Sequence, residues 1–127
     1  METMTSQYEA SADVIHAFTA GDCGYLALAL NQLTGWSVVT ITPVEDENYW
    51  PHAAVQMPDG NIIDIEGIWT PDHFEAWWYS DEHDYRIYVR DVEWATASVQ
   101  KRAPKFPDYD PIVYARKILD GLGLLAA

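Results

Sequence analysis

The sequence of 127 residues predicts an α+β fold in a single domain, residues 1–127. Apolar residues recur at helical spacing in the first third of the chain, whereas β-branched runs and a turn tripeptide dominate the middle. The chain is 49% hydrophobic and contains six Trp and eight Tyr, enough apolar surface for one core. We therefore expect two helices followed by a small, mostly antiparallel sheet with helical insertions.

Four helices are predicted from apolar spacing and from residues that favour helix ends. The second is the most regular, because Leu26, Leu30 and Leu33 form one stripe between Asp22, an acidic N-cap, and Gly35. A proline in the first turn marks the third and the fourth helix. The predicted helices cover residues 8–19, 22–34, 71–78 and 111–120.

The strands are predicted over residues 36–42, in a hairpin over 53–65, and over 85–92. Pro58-Asp59-Gly60 is typical of a type I turn followed by a left-handed glycine. With this three-residue loop, His52 lies opposite Glu66 and shares one face with Asp64 as a diagonal neighbour, about 7 Å away at the backbone. A two-residue loop would place His52 and Asp64 on opposite faces, and Glu66 would then be the alternative carboxylate.

Charge is distributed unevenly along the chain. All seven basic residues follow Tyr85, so residues 1–85, with fifteen carboxylates, carry a formal charge of −15. The remainder, with five carboxylates, carries +2. So negative a chain repels phosphates, which disfavours nucleic acid and anionic membranes as direct ligands and favours cationic or neutral peptides or a basic protein partner. Improved solubility is the alternative explanation.

Compartment and cofactors are predicted from what the sequence lacks. One cysteine, Cys23, permits no intramolecular disulfide, and the first twelve residues do not form a secretory signal. The uncharged stretch 23–44 is interrupted by polar residues and a glycine, so we do not interpret it as a membrane span. The acidic and histidine residues over 73–84 match no metal-ligand spacing. These observations predict a soluble cytoplasmic protein without metal or cofactor.

Cys23, His52 and Asp64 are the candidate catalytic residues. Cys23 begins a predicted helix, where unpaired backbone amides and the helix dipole favour a thiolate and can bind an oxyanion. His52 could hold the thiol proton and Asp64 could orient the imidazole. Separately, each has a simpler interpretation, as a small buried apolar residue, a histidine at a strand end and a solvated carboxylate.

The three segments that contain these residues occur in a characteristic order: Gly21 to Leu30, Pro51 to Val55 and Asn61 to Ile65. This ordered set, about a third of the chain, resembles the papain-like superfamily of cysteine peptidases, especially its transglutaminase-like branch. The resemblance implies Cys23 as nucleophile, His52 as general base and acid, and Asp64 as the residue that orients His52. It also implies a fold in which the cysteine helix packs on an antiparallel sheet that bears the histidine and the aspartate.

Two functions of different classes follow as hypotheses. The first is a small cysteine hydrolase or acyltransferase that acts on an amide or thioester of a peptide or protein through an acyl-enzyme at Cys23. The alternative is an acidic, non-catalytic binding protein, for example a phage-encoded inhibitor, that mimics nucleic acid and occupies a basic surface of a partner.

Overall fold

The computed structural model describes residues 10–78 and 84–124 and has an α+β architecture. In this part of the chain the helices are α1 (Ala12–Ala20), α2 (Cys23–Thr34), α3 (Pro71–Trp78), α4 (Val92–Gln100) and α5 (Pro111–Gly121). The strands are β1 (Ser37–Pro43), β2 (His52–Gln56), β3 (Ile62–Asp64), β4 (Gly67–Trp69) and β5 (Tyr85–Arg90). They form one sheet in the order β4-β3-β2-β1-β5, with every neighbouring pair antiparallel.

Helix α2 is central to the larger of two apolar clusters. It packs against α1, α4, α5 and β2, so that Leu26 and Leu30 share a core with the inward side chains of the hairpin, such as Val55 and Ile63. The smaller cluster lies on the other face of the sheet, where Phe74 of α3 packs with residues such as Ile41 and Ile62. The sheet is therefore covered on both faces, and the first residue of α2 lies in the larger core.

The β2–β3 hairpin has the predicted register. Val55 pairs with Ile63, and the backbone N–H of Met57 donates to the carbonyl of Asn61 at 2.8 Å, which closes the predicted three-residue loop. Gly60 has a φ of 94°, the left-handed conformation that this turn requires. Because side chains alternate along a strand, this register places His52 and Asp64 on the same face.

Two elements were not predicted. Strand β4 is only three residues long; it follows a tight turn at Ile65 and Glu66 and begins at Gly67, whose φ is 119°. Helix α4 occupies the region just after the predicted strand 85–92, which ends instead at Arg90 because the chain turns at Asp91 into a helix. This helix buries only Ala95 and Val99, too few apolar positions for a clear helical pattern.

The remaining helix predictions are confirmed, with shifted ends. Helix α1 begins at Ala12, where the Ser11 hydroxyl accepts a hydrogen bond from Val14 N–H; residues 8 and 9 of the predicted helix lie outside the described ranges. Helix α2 ends as predicted at Gly35, which has a φ of 77°. Among residues 10–78 and 84–124, no helix combines the length and apolar character that crossing a bilayer requires.

Candidate active site

His52 and Asp64 form a buried pair on the predicted face of the hairpin. Nε2 of the imidazole lies 3.0 Å from Oδ2 of the carboxylate, and both side chains are almost completely excluded from solvent. Such a pair fixes the orientation of the ring and favours its protonated form. The structure therefore brings together two of the three predicted site residues through the predicted hairpin geometry.

The second oxygen of Asp64 is held by two further donors. Oδ1 accepts from the backbone N–H of Glu66 at 2.9 Å and from the indole Nε1–H of Trp69 at 3.0 Å. Three hydrogen bonds thus position the carboxylate and compensate for its burial. Glu66, the alternative carboxylate, contributes its backbone to this arrangement, while Asp64 is the residue that contacts His52.

Cys23 completes the set at the first position of α2. Its side chain is buried, and it lies close enough to the His52 imidazole and to the backbone of Ala53, the next residue of β2, for both to lower the pKa of the thiol. Nε2 of His52 is engaged with Asp64, so a proton exchanged with the thiol would be carried by the other ring nitrogen, Nδ1. The three predicted residues therefore lie together, with the His52 imidazole bonded to the carboxylate and electrostatically coupled to the thiol.

The electrostatic environment of Cys23 and His52 favours a thiolate beside an imidazolium. Burial by itself raises the pKa of Cys23, but the neighbouring His52 imidazole, the Ala53 backbone and the charge of Arg102 outweigh it, and the pKa lies below its ordinary value of 9.0. Burial by itself lowers the pKa of His52, but hydrogen bonds and charges from Asp64 and Cys23 raise it to about 10. The two shifts reinforce each other because each charged group stabilises the other.

Residues 101–110, between α4 and α5, lie against the start of α2. The Asp22 carboxylate accepts the backbone N–H of Lys105 at 2.8 Å and that of Phe106 at 3.0 Å. The Tyr25 hydroxyl donates to the carbonyl of Arg102, whose guanidinium lies 4.2 Å from the ring centroid of Trp50. These contacts attach a distant segment to the helix that carries Cys23.

Asp22 is the N-cap residue of α2, as predicted, but its carboxylate does not cap the helix. Its side chain makes no capping hydrogen bond, because both carboxylate oxygens are used by the backbone of the 101–110 segment. Its backbone carbonyl still accepts the first helical hydrogen bond, from Leu26 N–H at 3.2 Å. The buried carboxylate of Asp22 thus tethers the 101–110 segment, although its position before a helix is typical of a capping side chain.

Two cavities flank the chain of site residues. One, of about 190 Å³, is lined by Cys23 together with Gly21, Pro51, Arg102, Ala103 and Lys105. The other, of about 330 Å³, is lined by His52, Asp64, Glu66 and a set of mainly aromatic residues, among them Trp69, Phe74 and Trp77. A larger cavity of about 400 Å³ between α3 and β5 includes none of the three site residues. Of these cavities, the small one beside the 101–110 segment is the one that reaches Cys23.

Sequence reasoning missed Trp69, Arg102 and Lys105. Nothing in the sequence marks the indole of Trp69 as a donor to Asp64. Arg102 and Lys105 lie in a segment without regular structure, whose position depends on contacts 77 to 84 residues away. The only available signal was their place among the few basic residues of an acidic chain.

The residues considered for a metal site do not assemble in the described part of the chain. His73 packs edge-on against Trp69, with ring centroids 5.0 Å apart, and residues 81–83 lie outside the described ranges. Among the residues that the structure describes, no group of three or more His, Cys, Asp or Glu side chains could hold a metal ion.

Comparisons of the chain with protein-family models, with curated proteins and with solved structures find no match.

Proposed function

We propose that this protein is a small cysteine hydrolase or acyltransferase, with a papain-like core of the transglutaminase-like type, that acts on an amide or thioester of a peptide or protein. The observation that supports the proposal most is the buried cluster of Cys23, His52 and Asp64, in which His52 is bonded to Asp64 and electrostatically coupled to Cys23. Each residue lies where the chemistry requires it: the thiol at a helix start, the imidazole against it, and a three-fold bonded carboxylate behind the imidazole.

The reaction proceeds in two steps. In the first, the Cys23 thiolate attacks the substrate carbonyl, and the C–N or C–S bond breaks as His52 gives its proton to the leaving amine or thiol. In the second, His52 takes a proton from water or an acceptor amine, which attacks the thioester and releases Cys23 as thiolate. The backbone N–H of Cys23, in the first turn of α2, is positioned to stabilise the oxyanion in both steps.

The proposed substrate is cationic or neutral overall, as the net charge of −13 favours. A reactive thiolate also needs a reducing compartment, so a cytoplasmic location is part of the proposal.

Detection of the acyl-enzyme tests the proposal directly. Because the chain has one cysteine, a panel of peptide thioesters incubated with the protein should add acyl groups at Cys23 alone, visible in the intact mass and removed by hydroxylamine. Cys23→Ala should form no adduct, and His52→Ala should form it at least about 100-fold more slowly. An adduct that forms equally fast in His52→Ala would contradict the proposed mechanism.

The acidic binding protein is retained as a second candidate because of one surface feature. Glu45, Asp46 and Glu47 are exposed in the β1–β2 connection, between the exposed apolar side chains of Val44 and Tyr49. An acidic loop with apolar flanks is suited to contact a basic protein surface.

Charge reversal at Glu45, Asp46, Glu47 and Asp84 separates the two functions. Loss of function in this variant, with Cys23→Ala unaffected, would favour the binding protein, and steep salt dependence of partner affinity would agree with it. Asp81 and Glu82, which the sequence places in the same acidic set, lie outside the described residues.

A further inference from the structure

The cavity beside Cys23 has a different charge from the rest of the molecule. Two of the seven basic residues, Arg102 and Lys105, line it, although residues 1–85 contain fifteen carboxylates and no basic residue. In the described ranges, neither cation forms an ion pair with a carboxylate. The Asp22 carboxylate, which contacts this segment, accepts two backbone N–H groups.

Both cations are held in place by contacts to the start of α2 and to Trp50, which precedes β2. Arg102 stacks on Trp50, and its carbonyl accepts the Tyr25 hydroxyl. Lys105 is attached through its backbone to Asp22, and its aliphatic stem lies so close to Gly21 that a Cβ at that position would be 2.6 Å from the lysine Cδ. The segment is thus attached at two points, and the side chains of Arg102 and Lys105 line the cavity.

We propose that this cavity is an anion subsite, in which Arg102 and Lys105 bind a carboxylate of the substrate next to the bond that Cys23 attacks. The inference rests on the proposed function and narrows its substrate class. The substrate is a peptide that is neutral or cationic overall, as the acidic surface favours, but carries one carboxylate beside the scissile amide or thioester. Arginine and lysine at the rim of a small cavity select such a group because their donors match its two oxygens.

Two alkylating reagents of nearly the same size test the subsite without knowledge of the substrate. Iodoacetate carries a carboxylate and iodoacetamide is neutral; with either, the Cys23 sulfur forms a bond to carbon and iodide leaves. The ratio of the two rates therefore reports the attraction for an anion and is independent of the thiolate fraction, which affects both rates equally. Because the His52 imidazolium also attracts iodoacetate, the variants that are compared all retain His52.

We expect the iodoacetate to iodoacetamide ratio of Cys23 to exceed that of a small free thiol, despite the net charge of −13. In Arg102→Gln/Lys105→Gln the ratio should fall about fivefold at low ionic strength, as the loss of attraction at partly exposed charges predicts. Lys101→Gln, which removes a neighbouring charge that does not line the cavity, should leave it unchanged. Arg102→Lys, which keeps the positive charge, should retain most of the wild-type ratio.

Each other outcome overturns the inference. A fall of equal size in Lys101→Gln would show an effect of net charge alone. Equal loss of both rates in the double variant, with an unchanged ratio, would mean that the cations only stabilise the thiolate, and the proposed function would stand without an anion subsite. A Cys23 that is inert to both reagents in every variant would end the proposed function as well. If the double variant does not fold, Lys105→Gln alone provides the same comparison.

Discussion

The β2–β3 hairpin and the 101–110 segment both supply groups to Cys23, but they do so by different physical routes. The hairpin positions His52 and Asp64 through strand register and a glycine turn, over a separation of 12 residues. The 101–110 segment is held to Asp22 by hydrogen bonds that span 83 and 84 residues. The first route is encoded locally, whereas the second depends on the complete fold.

This difference assigns separate roles to two buried aspartates. Asp64 accepts from the imidazole and holds the charge of the site, whereas Asp22 accepts from backbone amides and holds a segment beside the site. Both are almost fully buried, with 4% and 3% of their surface exposed. Variants of each should therefore affect stability strongly, but only those of Asp64 should act directly on the imidazole.

The largest effect is expected for Asp64→Ala in the hairpin. The substitution leaves three donors without their acceptor and an imidazolium without its counter-charge, which should lower the free energy of unfolding by about 3–5 kcal/mol. Urea denaturation measures the change. Asp59→Ala, which removes an exposed turn carboxylate of the same hairpin, is the control and should have a much smaller effect. Similar losses for the two variants would refute the role given to Asp64.

Asp22→Ser tests whether Asp22 acts as a tether. Serine is a good helix cap, so a capping role predicts no loss, whereas loss of both backbone contacts to the 101–110 segment should cost about 2–3 kcal/mol in urea denaturation. The segment should also become more sensitive to trypsin at Lys101, Arg102 and Lys105. In contrast, Asp110→Ser replaces a true cap, which accepts from Ile112 N–H, and should change stability by less than about 0.5 kcal/mol. Equal effects of the two substitutions would contradict the tether.

Gly24→Ala examines the packing between α2 and α4. A Cβ at this position would lie 2.7 Å from Cγ2 of Val99 and 2.9 Å from the Trp50 ring, so we expect a loss of about 1–3 kcal/mol in thermal or urea unfolding. Gly21→Ala is the comparison, because there the close atom belongs to the flexible side chain of Lys105, which can move away. A larger loss for Gly21→Ala would mean that the 101–110 segment is packed more rigidly than its contacts indicate.

The smallest effect concerns the pH dependence of stability. The raised His52 pKa stabilises the fold fully below pH 6.5, and that contribution is lost as the pH rises through about 10. The lowered Cys23 pKa contributes fully above pH 9.0 and is lost as the pH falls through its folded value. Between pH 6.5 and 9.0 the two residues hold one proton in either state: it is on His52 in the folded protein and on Cys23 in the unfolded chain. The pH dependences that the two residues give to the stability therefore offset each other.

We therefore expect the stability difference between the wild type and Cys23→Ala/His52→Ala to be nearly flat from pH 6.5 to 9.0. Above pH 9.0 it should decrease by at most about 1.4 kcal/mol per pH unit until about pH 10, because only the folded state then retains the proton. Urea denaturation at several pH values measures this. A steady decline that begins at pH 6.5 would indicate that Cys23 is a neutral thiol in the folded protein.

The sequence was sufficient to predict the α+β class, the hairpin register and the proximity of Cys23, His52 and Asp64. Pro58-Asp59-Gly60 determines the loop, the loop determines the register, and the register determines that His52 and Asp64 share a face. The contact of Trp69 with Asp64 could not be predicted in this way, because it requires strand β4, which has only three residues and shows no alternating pattern in the sequence. The position of Arg102 and Lys105 depends on the hydrogen bonds by which Asp22 holds the 101–110 segment. The sequence context of Asp22 suggested a helix cap instead.

The rate of Cys23 alkylation by iodoacetamide as a function of pH, in the wild type and in His52→Ala, tests the central claim most directly. A thiolate paired with His52 should react rapidly below pH 7 in the wild type and at least about 100-fold more slowly at pH 6 in His52→Ala. His16→Ala, a surface histidine on α1, should react like the wild type. If Cys23 is unreactive in both proteins, or titrates in both as an ordinary thiol near pH 9, then Cys23, His52 and Asp64 are not a catalytic unit.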